Sequence, residues 1–128
     1  MIAKTYLTII AILYFGLAMW CTFAPAETSQ KIGLKLTGGS GKSEYMTVFG
    51  GMEFGLALIL IVLAWRPGMA NEGVLVCVLM HVALVLFRTV SLFWFSDIEP
   101  MTWKLAVGEW AILLLGLATM FFSSKSVA

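Results

Sequence analysis

Three ionisable residues, Glu53, Arg88 and Glu109, interrupt long apolar runs, and their types could support chemistry. An arginine side chain is a planar fork of N–H donors that binds carboxylates through paired hydrogen bonds. One Arg bridging two Glu leaves a net charge of minus one unless one carboxyl is protonated. Such a group could hold a proton or accept a cationic ligand. It could also be only a polar clasp between helices, which is the interpretation we favour.

Two further polar residues lie on the same face as Arg88. His81, the only histidine, precedes it by two helical turns, and Ser91 follows it by one. Imidazole exchanges protons near neutral pH, and a serine hydroxyl can bind Arg88 or its own backbone. We treat both as candidates for ligand binding or a proton relay. No second strong ligand stands at helical spacing, so no metal site is predicted.

The sequence contains no recognised catalytic or cofactor spacing. It has no Ser-His-Asp candidate set, no haem motif and no paired histidines. The segment 38–43 includes Gly-Lys-Ser but lacks the spacing of a phosphate loop, so we interpret it as a flexible connector. Cys21 and Cys77 lie in apolar runs without CxxC spacing and are expected to be buried free thiols. We therefore predict no cofactor and favour a non-enzymatic role.

The elements that position these residues are hydrophobic enough to be dissolved in a membrane. Apolar residues make up 61% of the 128 and charged residues only 12%, and the mean hydropathy is +0.98. These values lie far from those of water-soluble domains. The net charge of +1 and the scattered basic residues give no reason to expect a nucleic-acid partner.

Four segments are long enough to cross a bilayer, which takes about 20 apolar residues. They predict a single all-α domain over 1–128, an integral membrane four-helix bundle, with helices at about 4–24, 45–65, 73–95 and 103–122. The first segment is longer than a cleavable signal, so we expect it to span. Pro100 is expected near the start of the last helix. Four tryptophans are predicted at span ends, where indoles favour headgroups: Trp20, Trp65, Trp94 and Trp103.

The three charges are predicted to share one depth. At a rise of 1.5 Å per residue, Glu53 lies about 12 Å below Tyr45, Arg88 about 10 Å below Phe95, and Glu109 about 9 Å below Trp103. Those reference residues all stand at the same membrane face. The sequence therefore predicts a polar layer near the face that carries the long first connector.

Small residues at helical spacing predict close helix packing. Gly51 and Gly55 form a Gly-xxx-Gly pair around Glu53, and the predicted packing residues are Gly50, Gly51, Gly55, Gly108 and Gly116. The same glycines could instead form a groove through which a lipid approaches Glu53. Both interpretations depend on the lack of a side chain at glycine, and we favour close helix packing.

The run Phe49-Gly50-Gly51-Met52-Glu53-Phe54-Gly55, together with Arg88-Thr89-Val90-Ser91-Leu92 and Gly108-Glu109, resembles a family of small bacterial four-helix membrane proteins known as a domain of unknown function. The layout is more distantly similar to DoxX-like proteins and to the sterol-handling EXPERA group. The resemblance implies a four-helix bundle with polar residues in a lipophilic interior. No EXPERA catalytic set maps onto this sequence, so isomerase activity is not implied.

Three functions remain open at this stage. The leading one is an accessory or assembly subunit that acts through helix packing with itself or with a larger membrane complex. The second is binding of a lipophilic ligand such as a quinone, a sterol-like molecule or a lipid, and the third is proton or cation transport. Membrane lipids are the expected surroundings, in a bacterial inner membrane. The basic residues are nearly balanced between the two faces, and we expect the termini in the cytoplasm.

Overall fold

A computed structural model describes residues 1–125, with side chains as far as Ser123, and within that range every regular element is a helix. The last three residues of the predicted domain, 126–128, lie outside the described residues, as does the side chain of Lys125, which contributed to the predicted orientation. The helices are α1 (Ile2–Phe23), α2 (Pro25–Lys31), α3 (Gly38–Tyr45), α4 (Glu53–Trp65), α5 (Ala70–Trp94) and α6 (Pro100–Lys125), with a π-helical segment (Met46–Met52) between α3 and α4.

Four of these stretches are long and apolar enough to cross a membrane. They are Ile2–Phe23, Gly38–Trp65, Ala70–Trp94 and Pro100–Ser123. The predicted all-α architecture with four spanning helices is therefore confirmed. As expected, α6 begins at Pro100, whose fixed φ and missing N–H suit the first helical turn.

The second span begins earlier than predicted. Its helix starts at Gly38 rather than near Tyr45, so the glycine-rich segment 38–43 is helical and not a flexible connector. Glycine is a poor helix former, by about 1 kcal/mol per residue relative to Ala, which is why the sequence predicted a loop. Contacts of Tyr45 override that preference, because Tyr45 is buried at the end of α3, where its hydroxyl lies 3.7 Å from Cys21 Sγ of α1. Its ring also stacks on Phe49 one helical turn later, with 4.6 Å between centroids.

Helix α1 is the central helix of the bundle. It contacts α4, α5 and α6, whereas within the described residues α4 and α6 have no substantial contact with each other. Its buried residues follow the spacing of a broad helical stripe: Ala3, Tyr6, Leu7, Ile10, Ala11, Tyr14, Ala18 and Cys21. The one spanning helix without an internal charge therefore provides the surface on which the charged helices meet.

Two of the predicted packing glycines lie at close contacts. A Cβ atom on Gly50 would lie 2.5 Å from Thr22 Oγ1 of α1, and one on Gly116 would lie 2.7 Å from both Tyr6 Oη and Val78 Cγ2. Gly73, which the sequence analysis did not single out, is equally tight, because its Cβ would lie 2.6 Å from Leu7 Cδ1. These glycines let the backbones of neighbouring helices approach.

For the other three glycines the packing prediction is wrong within this chain. A Cβ on Gly55 or Gly108 would meet no atom within 4 Å, and one on Gly51 would meet only the Met46 carbonyl oxygen at 4.0 Å. Gly50 faces α1, where its Cβ would meet Thr22, whereas its neighbour Gly51 meets no side chain of the described residues. The Gly51-xxx-Gly55 pair is therefore on the outer surface of the bundle.

Candidate functional site

An ion pair joins α5 to α6 at the predicted depth. Arg88 Nε donates to Glu109 Oε2 at 3.0 Å, and Arg88 Nη2 donates to Glu109 Oε1 at 2.8 Å. The two side chains are 29% and 13% exposed. This two-pronged geometry is the strong form of an Arg–carboxylate interaction, and it leaves the pair with no net charge. One residue further along each helix, Trp110 Nε1 donates to Thr89 Oγ1 at 3.3 Å.

Glu53 is not part of that ion pair. The expectation that Arg88 bridges both carboxylates is wrong, because both of its hydrogen bonds go to Glu109. Among the described residues Glu53 has no hydrogen bond or ion pair, and its Oε2 atom is buried without a partner. The reason is rotational, because Glu53 falls on the same face of its helix as the buried residues Gly50 and Ala57 and not on a face toward Arg88.

Glu53 instead lies on the face of its helix that packs on α1. Residues of this face recur every three or four positions: Gly50, Glu53, Ala57, Leu60 and Ala64. The π-helical segment ends immediately before Glu53, and π turns are frequent at functional sites. The Glu53 carboxyl is close enough to Tyr14 and Cys21 of α1, and to Tyr45, for its charge to act on each of them.

His81 is completely buried and both of its ring nitrogens are engaged. Nδ1 lies 2.8 Å from the Cys77 carbonyl oxygen, and Nε2 lies 2.9 Å from the Tyr14 hydroxyl oxygen. A carbonyl oxygen only accepts hydrogen bonds, so Nδ1 is the protonated nitrogen of the neutral ring. Nε2 is then the acceptor, and Tyr14 donates its hydroxyl proton to it. The Glu109 carboxylate is near enough to act electrostatically on both Tyr14 and His81.

A second tyrosine extends this polar interior toward the other end of the bundle. Tyr6 donates its hydroxyl proton to the Ile112 carbonyl oxygen at 2.9 Å, and its oxygen lies 3.4 Å from Cys77 Sγ. Cys77 Sγ is in turn 3.6 Å from His81 Nδ1. The buried Cys77 thiol therefore lies between the Tyr6 hydroxyl and the His81 ring, and the Tyr14 hydroxyl contacts the opposite nitrogen of that ring.

Sequence reasoning placed His81 and Ser91 together as candidates, but the structure separates them. Ser91 donates to the Arg88 backbone carbonyl at 2.8 Å, so its hydroxyl serves its own helix. The reasoning missed Tyr6, Tyr14 and Cys77. Two signals in the sequence could have indicated them, since Cys77 precedes His81 by one helical turn and the tyrosines stand eight residues apart, close to one face of α1.

Two cavities lie at the ends of the bundle. One, of about 320 Å³, is lined by Pro25, Ala26, Ser29, Gln30, Lys35, Leu36 and Lys42. The other, of about 230 Å³, is lined by Met1, Ala3, Lys4, Gly68, Ala70, Asn71 and Ser123. Neither reaches Glu53 or the ion pair. No group of three or more potential metal ligands occurs in the part of the chain that the structure describes.

The chain was compared with protein-family models, with curated proteins and with solved structures, and none of the three comparisons finds a match.

Proposed function

We propose that this protein is a non-enzymatic membrane subunit that associates, through the outer face of α4, with a second copy of itself or with a larger membrane complex. The observation that carries the proposal is the uncovered Gly51-xxx-Gly55 pair on a spanning helix. Apolar side chains continue the same outer surface toward the end of α4, where Leu58, Ile59 and Val62 are exposed. We call the surface formed by these five residues the outer face.

The physical reason is that helices in a bilayer gain no hydrophobic free energy from meeting. They associate through van der Waals packing, which small residues improve by letting the backbones approach. Inside the bundle, Gly50, Gly73 and Gly116 already serve in this way. Gly51 and Gly55 also lack a side chain, but no described helix of this chain packs against them. A helix from another chain is therefore the partner that packs on these two glycines.

The test replaces the glycines of the outer face and measures association in the membrane. Gly55→Leu fills the position where a partner backbone would approach, and a Cβ at Gly55 would meet no atom of the described residues within 4 Å. Gly16→Leu is the matched control, because Gly16 lies in α1 and also faces open space. Energy transfer between labelled copies in vesicles reports self-association, and affinity capture of the tagged chain from native membranes reports a heteromeric complex.

We expect Gly55→Leu to weaken association at least tenfold, which corresponds to about 1.4 kcal/mol, while Gly16→Leu leaves it unchanged. Equal association of both variants, or a wild-type chain that stays monomeric and captures no specific partner, would contradict the proposal.

Two finer statements belong to the same proposal. Membership of the small four-helix family of unknown function is supported by the Gly-Gly-x-Glu run, which carries most of the resemblance, and a bacterial inner membrane would follow from it. Cytoplasmic termini are the second statement, and its support is now Lys31, at the end of α2 between the first two spans, because Lys35 stands only three residues before the span that begins at Gly38. Reporter fusions after residue 128 would test the orientation.

Binding of a lipophilic ligand is the second candidate, and the unpartnered Glu53 oxygen is the observation that favours it. A ligand with a hydrogen-bond donor in its head group would supply the missing partner. Mass spectrometry of lipids retained on the purified protein tests this, and a profile equal to that of the bulk membrane would argue against it.

A further inference from the structure

The interior of the bundle contains one buried polar atom that nothing satisfies. Of the buried side-chain nitrogen and oxygen atoms in the described residues, only Glu53 Oε2 has no hydrogen-bond partner. Buried polar groups in folded proteins are nearly always paired, so an exception calls for an explanation. An ionisable residue within a membrane helix is also a functional candidate by default.

The charged groups of the bundle give no reason for the Glu53 carboxyl to be ionised. The only arginine in a described spanning helix, Arg88, directs both of its hydrogen bonds to Glu109, and the resulting pair is neutral. A negative charge on Glu53 would be buried without a counter-ion, which costs several kcal/mol. A protonated carboxyl is neutral and avoids most of that cost.

Hydrogen-bond directions around Tyr14 favour the same state. The Cys77 carbonyl requires a proton on His81 Nδ1, so Nε2 accepts the hydroxyl proton of Tyr14. The Tyr14 oxygen then offers only lone pairs to any other neighbour. Donation therefore runs toward α5, from the Tyr14 hydroxyl to His81 Nε2 and from His81 Nδ1 to the Cys77 carbonyl. Among the described residues no hydrogen bond joins Tyr14 to Glu53, but the two groups lie within electrostatic range, and a Glu53 carboxylate would find lone pairs and not a donor at the Tyr14 oxygen.

We propose that Glu53 forms a proton-binding site inside the bundle, near the hydrogen-bonded Tyr14 and His81, at which the Glu53 carboxyl takes up and releases one proton. In the uptake step a proton from water joins the Glu53 carboxylate to give the carboxylic acid, and no other bond changes. Glu53 is only partly buried, so protein side chains do not completely enclose its carboxyl. The proposal is independent of the outer face, which lies on the other side of the helix.

The other titratable groups near Glu53 are few and can be separated experimentally. Tyr14 and Cys21 of α1 and Tyr45 at the end of α3 lie within electrostatic range of its carboxyl. From α5 and α6, His81 hydrogen-bonds to Tyr14, and the Glu109 carboxylate acts electrostatically on both. Among the described residues neither His81 nor the Arg88–Glu109 pair forms a hydrogen bond or ion pair with Glu53.

Infrared difference spectroscopy tests the proposal directly. The full-length protein in lipid nanodiscs is measured at acidic and alkaline pH, and the carbonyl-stretch band of protonated carboxyl groups is followed in H2O and D2O. We expect Glu53→Gln to remove one carboxyl equivalent per chain from a band that is sensitive to deuterium. Glu44→Gln is the control, because Glu44 belongs to the same long helix but is exposed. It should leave that band in place.

Two further variants keep the test decisive if Glu53→Gln folds poorly. Glu53→Asp retains a carboxyl and should shift the band without abolishing it. Tyr14→Phe retains the ring but removes the acceptor oxygen, and we expect it to move the band frequency and the midpoint of its titration. A band that survives Glu53→Gln in folded protein, or no titrating band in the wild type, would overturn the proposal. A band that ignores Tyr14→Phe would overturn the assignment of Tyr14.

Discussion

The substitutions Gly116→Ala and Gly108→Ala should change the free energy of unfolding in opposite directions, although each adds one methyl group to α6. At Gly116 the new Cβ would lie 2.7 Å from Tyr6 Oη and 2.7 Å from Val78 Cγ2, whereas at Gly108 it would meet no atom within 4 Å. Ordinary contacts begin at 3.4 Å, so two neighbouring groups must each retreat by about 0.7 Å at Gly116.

Neither neighbour of Gly116 can move easily. Val78 is β-branched and has one favoured rotamer in a helix, and the Tyr6 hydroxyl is held by its hydrogen bond to the Ile112 carbonyl at 2.9 Å. Overpacking of this kind costs about 1–3 kcal/mol. The better helix propensity of Ala over Gly stabilises the folded protein by about 1 kcal/mol at either position. We therefore expect Gly116→Ala to destabilise by up to about 2 kcal/mol and Gly108→Ala to stabilise by about 0.5–1 kcal/mol.

Reversible unfolding in mixed micelles, followed by helical circular dichroism as the fraction of denaturing detergent rises, measures both variants under one condition. The helix-propensity contribution is common to both, so the difference between them isolates the packing cost. Val78→Ala removes one of the two obstructing groups and should make Gly116→Ala less destabilising. If both glycine variants shift the unfolding midpoint in the same direction by similar amounts, the packing of α6 against α1 and α5 described above is wrong.

Two more predictions concern the ion pair and the thiols. A double-mutant cycle with Arg88→Met and Glu109→Leu tests the ion pair, because each single change leaves one charge unpaired and the double variant should recover much of the lost stability. We expect a coupling free energy of about 1–2 kcal/mol in the same unfolding assay. A coupling free energy near zero would contradict a polar clasp between α5 and α6. Cys21 and Cys77 are both buried and form no disulfide. A water-soluble maleimide should therefore label neither thiol in the native bundle and both after unfolding. Labelling of Cys77 in the native protein would contradict its complete burial.

The sequence alone determined the features that depend on position along the chain. Runs of apolar residues of membrane-spanning length predicted four helices because every backbone polar group must be satisfied internally in lipid. Pro100 indicated the start of α6, and counting from the span ends placed Arg88 and Glu109 at one depth, where the structure pairs them. The start of the second span was misjudged because contacts of Tyr45 outweigh the poor propensity of its glycines.

Only the tertiary structure decided which residues at that depth face one another. Depth follows from the axial rise of a helix, but facing depends on its rotation about its axis, and the π-helical segment before Glu53 changes that rotation. Glu53 consequently points toward α1 and not toward Arg88. The central position of α1 also brings Tyr14 to His81, a contact 67 residues apart in sequence. Periodicity within one helix carries no information about which helix will lie against it, and that is the physical reason the polar interior could not be predicted.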